Sequence, residues 1–344
     1  MLKVGVSAPN STIRVIISNI VYVCNLLILI FLFFFPRDVL SAAREGLMLW
    51  FNNVLPALLP FIVVVNMLAA LGFVRLVSTW ASPFMTTVFR LPGAGGFAFI
   101  TGLISGYPLG AKTVADLCKA GEITSKEAQR LLAFCNNAGP LFIVGVVGVG
   151  LLESSAAGYV LWVGHVAAAL VIGIITRRQA TVCEKNKMSF SDRKGLKKQV
   201  TFRQAKGEVP NIGKALGEAV KNAMEALLLV GGLIIFFSVI VRIMMIAIGD
   251  LPFMAGGVLA GVMEITGGVK TLSDTSAGVV TPARMAAIGG IIAFGGFSVH
   301  AQALHFTSGI GIKAGSYLFY KTLNGVIAAG ITGVAWWIIE GYMI

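Results

Sequence analysis

Seven long apolar stretches, at 15–35, 46–72, 128–152, 156–176, 215–248, 284–309 and 314–340, take up most of this 344-residue chain. Each is long enough to cross a hydrocarbon core of ~30 Å at about 1.5 Å per helical residue. Charged residues make up 12% of the chain, about half the share that a soluble domain needs to cover its surface with water-loving groups. The remaining surface must face lipid, where only helices or closed barrels satisfy their own backbone. The chain therefore reads as an all-α polytopic membrane protein with the bilayer as its standing partner. The first stretch follows Lys3 and Arg14 and ends at Arg37 and Asp38. It is too long for the apolar segment of a signal peptide and is expected to remain as a first transmembrane helix.

The net charge is +12, from 27 Lys and Arg against 15 Asp and Glu. Such an excess can mark a nucleic-acid surface, but here it is concentrated in one loop. Residues 177–214 hold eleven Lys or Arg and three Asp or Glu. A basic loop between apolar spans marks the cytoplasmic side, so no nucleic-acid partner is expected. Counting spans back from it puts the N-terminus in the cytoplasm, together with Arg75, Arg90, Lys119, Lys126 and Arg130. The C-terminus falls on the opposite side. Four cysteines, Cys24, Cys118, Cys135 and Cys183, form no CxxC pair and read as packing residues. The chain contains no GxSxG, HExxH or phosphate-binding glycine loop, and its three histidines make no metal set with the few acids. Neither an enzyme nor a bound cofactor is expected.

Two further segments start apolar, break at a Gly/Pro cluster and turn polar. They are 92–120, with Ser105-Gly106-Tyr107-Pro108 at the break, and 252–275, with Ile265-Thr266-Gly267-Gly268. Each reads as two half-helices around a reversal, a re-entrant hairpin whose non-helical backbone must be buried in protein or line a cavity. The hairpins also match one another. Gly102-Leu103-Ile104 through Gly110-Ala111-Lys112-Thr113 parallels Gly261-Val262-Met263 through Gly268-Val269-Lys270-Thr271. Leu132-Ala133-Phe134 then parallels Ile292-Ala293-Phe294, about 160 residues later. In both halves the order is long helix, hairpin, broken helix.

Three spans separate each element from its counterpart, and an odd number inverts direction. The predicted architecture is thus an N-terminal helix (1–40), a first repeat (41–176), a basic cytoplasmic loop (177–211) and a second, inverted repeat (212–344) that ends in a C-terminal helix. Inverted repeats with interrupted helices are the build of many secondary transporters, with the solute held at mid-membrane between them.

The candidate solute-holding residues follow from the breaks. Ser105, Gly106 and Tyr107 form the first tip, and Glu264 and Thr266 belong to the second. Each second half-helix begins at the reversal with free N–H groups and a positive dipole end, which favours an anion. Lys112 and Lys270 follow the tips by about a turn. They balance two negative charges on a solute, or pair with Asp116 and Glu264. Glu264 carries a proton, accepts a hydrogen bond from the solute, or neutralises a lysine. Asn136 and Asn137, ahead of Gly139-Pro140, supply amides where the next helix unwinds. Ser298, His300 and Gln302 occupy the matching break near Gly295-Gly296. The coupling ion, a proton or sodium or none, and a homo-oligomeric state stay open.

From Ser105-Gly106-Tyr107-Pro108-Leu109-Gly110-Ala111-Lys112 through Gly121-Glu122-Ile123-Thr124 to Phe134-Cys135-Asn136-Asn137-Ala138-Gly139-Pro140, the chain resembles the sporulation integral membrane protein family of endospore formers, the YlbJ or SpoVV type. The region around 213–232 resembles nucleoside-recognition gate domains. The resemblance implies a fold related to concentrative nucleoside transporters. It also implies passage of dipicolinic acid, a flat dicarboxylate, from the mother cell across the outer forespore membrane. Nucleoside transporters hold their solute at the hairpin tips and adjacent broken helices, here Ser105–Tyr107, Asn136–Asn137, Glu264–Thr266 and Ser298–Gln302. The first tip carries Ser105 and no acid, which weighs against a nucleoside. A nucleoside carrier and a non-transporting assembly factor are the competing expectations.

Overall fold

A computed structural model describes residues 11–179, 212–274, 276 and 279–343. Most of the basic loop, Cys183 and the loop's cytoplasmic assignment lie outside the described residues. The described chain is helical throughout, with no strand.

Helix α1 (Ser11–Phe34) gives way at Pro36, the first residue of α2 (Pro36–Leu49). The segments 25–34 and 36–52 meet at 106°. Proline tolerates a first helical position because its missing N–H would be unpaired there anyway. The chain then passes through a wide π-helical turn, Trp50–Val54, into α3 (Leu55–Ala70). Pro56 offers no N–H to the preceding turn, and the widened turn accommodates that loss. Gly72, at φ +83°, stops α3, and α4 (Phe73–Phe84) leaves at 88° with no buried residue.

The long helix made by α2 and α3 packs along α9 (Ile212–Ile248). Trp50 Nε1 donates to Leu227 O at 3.0 Å, and Asn66 Nδ2 donates to Ala219 O at 3.2 Å. Gly46 lies against Ser238 and Ile235, and the Trp50 ring lies where a side chain on Gly231 would be. Rising numbers on one helix meet falling numbers on the other, so the two long helices are antiparallel.

Two helical hairpins form at the predicted breaks. α5 (Ala94–Ser105) and α6 (Leu109–Lys119) reverse at Gly106, whose φ of +81° suits glycine. α10 (Phe253–Met263) and α11 (Ile265–Leu272) reverse at Glu264, in extended conformation. The arms of each close on a glycine pair. A Cβ on Gly102 would meet Gly110 Cα at 3.4 Å, and one on Gly268 would run into the Gly261 backbone.

The broken helices follow. α7 (Ser125–Cys135) starts in a capping box, with Thr124 and Glu127 each satisfying the other's backbone N–H. It ends at Asn136, and a π-helical piece, Leu141–Leu151, resumes after Pro140. α8 (Ser155–Thr176) completes this half. In the second half α12 (Pro282–Phe294) breaks at Gly295 (φ +96°), α13 (Gly296–Phe306) continues, and α14 (Ala314–Met343) closes the order.

Buried arginines tie down both halves. Arg130 donates to the carbonyls of Thr176 and Arg90, at 3.1 Å each, and of Phe89. Arg284 donates to Leu272, Asp274 and Val279 carbonyls at 2.7–3.2 Å. Arg130, which the sequence places on the cytoplasmic side, is a buried clamp on helix ends.

Four described helical stretches are long and apolar enough to cross a membrane: Ser155–Thr176, Ile212–Ile248, Pro282–Phe306 and Ala314–Gly341. Counting the two bent pairs as spans raises this to six. The span at 128–152, expected to be broken, is two short pieces, because Asn136 to Gly139 leave the helix. Large apolar side chains such as Leu29, Phe33, Trp80 and Trp337 point outward, as a lipid-facing surface requires.

Candidate functional site

The two hairpin tips and the two breaks converge. Gly106 sits against Gly139, where an added Cβ would meet Gly139 N at 2.7 Å. Gly296 sits against the second tip in the same way, with Met263 O and Ile265 N at 3.4 and 3.3 Å from an added Cβ. Each tip is thus pressed on the glycine of the broken helix that follows it. Only a residue without a side chain permits that approach.

A cavity of about 340 Å³ opens at this convergence, within the size range of small-molecule sites. Its lining combines Ser105 and Tyr107 of the first tip with Glu264, Ile265 and Thr266 of the second. Ala138 and Gly139 come from the first break, and Ser298, Val299 and Gln302 from the start of α13. The antiparallel long helices supply Asn52, Pro56, Val230 and Ile234. Most of the wall is apolar, with polar groups at the tips.

Ser105 is buried, and neither its Oγ nor Tyr107 Oη has a hydrogen-bond partner. A buried unpaired hydroxyl costs about 1–3 kcal/mol, so two at one cavity are groups awaiting an acceptor or donor. Glu264 behaves differently. Its carboxylate caps its own helix, accepting from Thr266 N at 3.1 Å and Gly267 N at 2.7 Å. The positive end of α11, read from the sequence as open to an anion, is thereby filled. The N-termini of α6 and α13 have no side-chain cap. Gln302 Nε2 reaches Ser298 Oγ at 3.5 Å, a long contact that leaves both able to turn to a guest.

Of the predicted residues, the structure therefore brings Ser105, Tyr107, Glu264, Thr266, Ser298 and Gln302 to one cavity. Gly106 shapes the tip behind them. The lysines stay away. Lys112 Nζ is bonded to Asp116 Oδ2 at 2.8 Å, one turn on, and Lys270 is exposed in the last turn of α11. Neither lysine is among the residues that line the cavity.

Asn136, Asn137 and His300 lie in a second layer. Asn136 Nδ2 donates to Tyr317 Oη at 3.0 Å, and His300 Nδ1 is 3.1 Å from the same hydroxyl. Asn137 Nδ2 donates to Phe134 O at 2.7 Å, and His165 Nε2 accepts from Ala138 N at 3.1 Å. Lys321, fully buried on α14, donates to Asn136 O at 2.9 Å. Sequence reasoning passed over Lys321, Tyr317 and His165. The signal was present: a lone lysine two turns inside a long apolar helix is costly enough to demand a use.

Among known proteins, the chain is 34% identical over 323 residues to the sporulation integral membrane protein YlbJ of Bacillus subtilis (strain 168). The alignment covers 88% of this chain and 78% of that protein. No family model and no solved structure matches the chain.

Proposed function

This chain belongs to the sporulation integral membrane protein family, and from that premise we propose that it is a carrier that moves a small flat organic acid, dipicolinic acid foremost, across a membrane of the sporulating cell. The observation that carries the proposal is the shared cavity, walled by both hairpin tips and both helix breaks. A wall made from two mirror-ordered halves can open to either side by rocking one half against the other. The antiparallel long helices and the matching glycine pairs of the hairpins support an inverted repeat, with a build related to concentrative nucleoside transporters.

The chemistry of the cavity supports an acid. Unpaired hydroxyls at Ser105 and Tyr107, with Ser298 beside them, are donors to a carboxylate. The uncapped N-termini of α6 and α13 add partial positive charge. The apolar wall suits a flat aromatic ring. The N-terminus and the 177–211 loop are assigned to the cytoplasm, in the cell membrane or the outer forespore membrane. A homo-oligomer fits this assignment equally well.

A second reading has its own support. Glu264 lines the cavity and no cation does, which suits a neutral solute bearing N–H or O–H donors, such as a nucleoside. Purified protein titrated with dipicolinate and with uridine separates the two. The expected outcome is dipicolinate binding, uptake into proteoliposomes, and no competition by uridine. Uridine binding with indifference to dipicolinate would transfer the assignment to nucleosides. Binding of neither, with a partner protein copurifying, would favour an assembly factor.

A further inference from the structure

Lys321 is the one lysine that this bundle encloses among the described residues. Its Nζ donates to Asn136 O, the carbonyl that follows the last turn of α7, where the first broken helix stops. A helix C-terminus is the negative end of a dipole, and its last carbonyls have no intrahelical partners. In carriers with interrupted helices, such freed carbonyls ligate the coupling sodium ion. Here the same position is filled by an amine from α14.

The other groups near Lys321 are Cys135 on α7, His165 on α8 and His300 on α13, and Tyr317, a turn earlier on α14, bonds to Asn136 and lies beside His300. None is a carboxylate, and no described carboxylate pairs with Lys321. The break also keeps buried oxygen acceptors without partners, Asn136 Oδ1 and Asn137 Oδ1. Oxygen acceptors around a helix C-terminus suit a monovalent cation, and among the described residues the amine bonded there is that of Lys321.

We propose that Lys321 is a built-in cation: its ammonium holds the unwound end of α7 where a sodium ion would otherwise bind, so that the protein needs no sodium. This deepens the carrier reading, since the break shapes the solute cavity, but its test does not depend on transport. Thermal melting of the purified, solute-free protein is compared in sodium chloride and choline chloride at equal ionic strength. The wild-type protein is expected to melt at the same temperature in both. Lys321→Ala is expected to melt at least about 5 °C lower in choline and to regain part of that loss in sodium, which enters the vacated site. Selective stabilisation of the wild type by sodium, or a Lys321→Ala variant that melts like the wild type, would overturn the proposal. So would a variant that melts low and ignores sodium. If Lys321→Ala does not fold, the wild-type comparison decides the matter alone. Failure of the uptake experiment with an unchanged melting result would reject the carrier and leave the cation site standing.

Discussion

Tyr107 brings a buried hydroxyl to the cavity wall and finds no partner there. Removing an unsatisfied polar group costs the fold little, whereas removing a donor from a bound acid costs affinity. Tyr107→Phe is therefore expected to leave the melting temperature within a degree or two, about the size of a neutral change. It should also weaken dipicolinate binding by about tenfold, the equivalent of one charge-assisted hydrogen bond. Calorimetric titration and melting on the same preparation check both halves. Glu264 couples structure and site more tightly. Its side chain holds the first N–H groups of α11, and Glu264→Ala is expected to cost about 1 kcal/mol as a lost cap. The lysines offer the contrasting case. Lys112 is engaged by Asp116 and Lys270 is exposed, so the double variant Lys112→Gln, Lys270→Gln is expected to retain dipicolinate binding within about threefold. An i, i+4 ion pair that keeps some contact with solvent contributes about 1 kcal/mol or less. Abolished binding in that variant would restore the lysines to the site.

The hairpins and breaks depend on backbones that touch. Gly268 has no room for a side chain against Gly261, whereas a Cβ on its neighbour Gly267 would sit at an ordinary 3.4 Å from Glu264 Oε2. Gly268→Val is expected to force the arms of the second hairpin apart and lose several kcal/mol, in the range of overpacked cores and beyond. Gly267→Ala is expected to be neutral or to gain about 0.5 kcal/mol, since glycine is the poorer helix former. Melting of the pair in detergent tests whether tight crossing, and not glycine content, holds the hairpin. Glycine and proline clusters made these reversals legible in the sequence, and so were the helix breaks at Asn136 to Pro140 and at Gly295. What the sequence did not give away were the sharp bends at Pro36 and Gly72. Hydropathy is blind to direction, so an apolar run reads the same whether straight or folded over.

Across the whole molecule, the register of the two long helices is the feature that relates one half to the other. Gly46 and Ser238 lie close enough that a Cβ on Gly46 would be 3.2 Å from Ser238 Cβ, near the spacing of a disulfide. In a background lacking native cysteines, Gly46→Cys with Ser238→Cys is expected to cross-link on mild oxidation in membranes. Gly46→Cys with Ala219→Cys should not, because an antiparallel pairing puts Ala219 beside Asn66 instead. Cross-linking of the second pair and not the first would overturn the antiparallel arrangement.

The sequence by itself determined that this chain lives in a bilayer, that it is helical, and where its backbone must break. Those properties follow from the solvent and the local chain: lipid excludes charge and unpaired peptide groups, and glycine and proline act on their own neighbours. Only the tertiary structure decided which polar residues meet. Tyr107 and Glu264 face one cavity, Lys112 turns to Asp116, and Lys321 reaches across 185 positions to Asn136. A side chain's direction depends on which helix face packs inward, and that is fixed by partners far away in the chain.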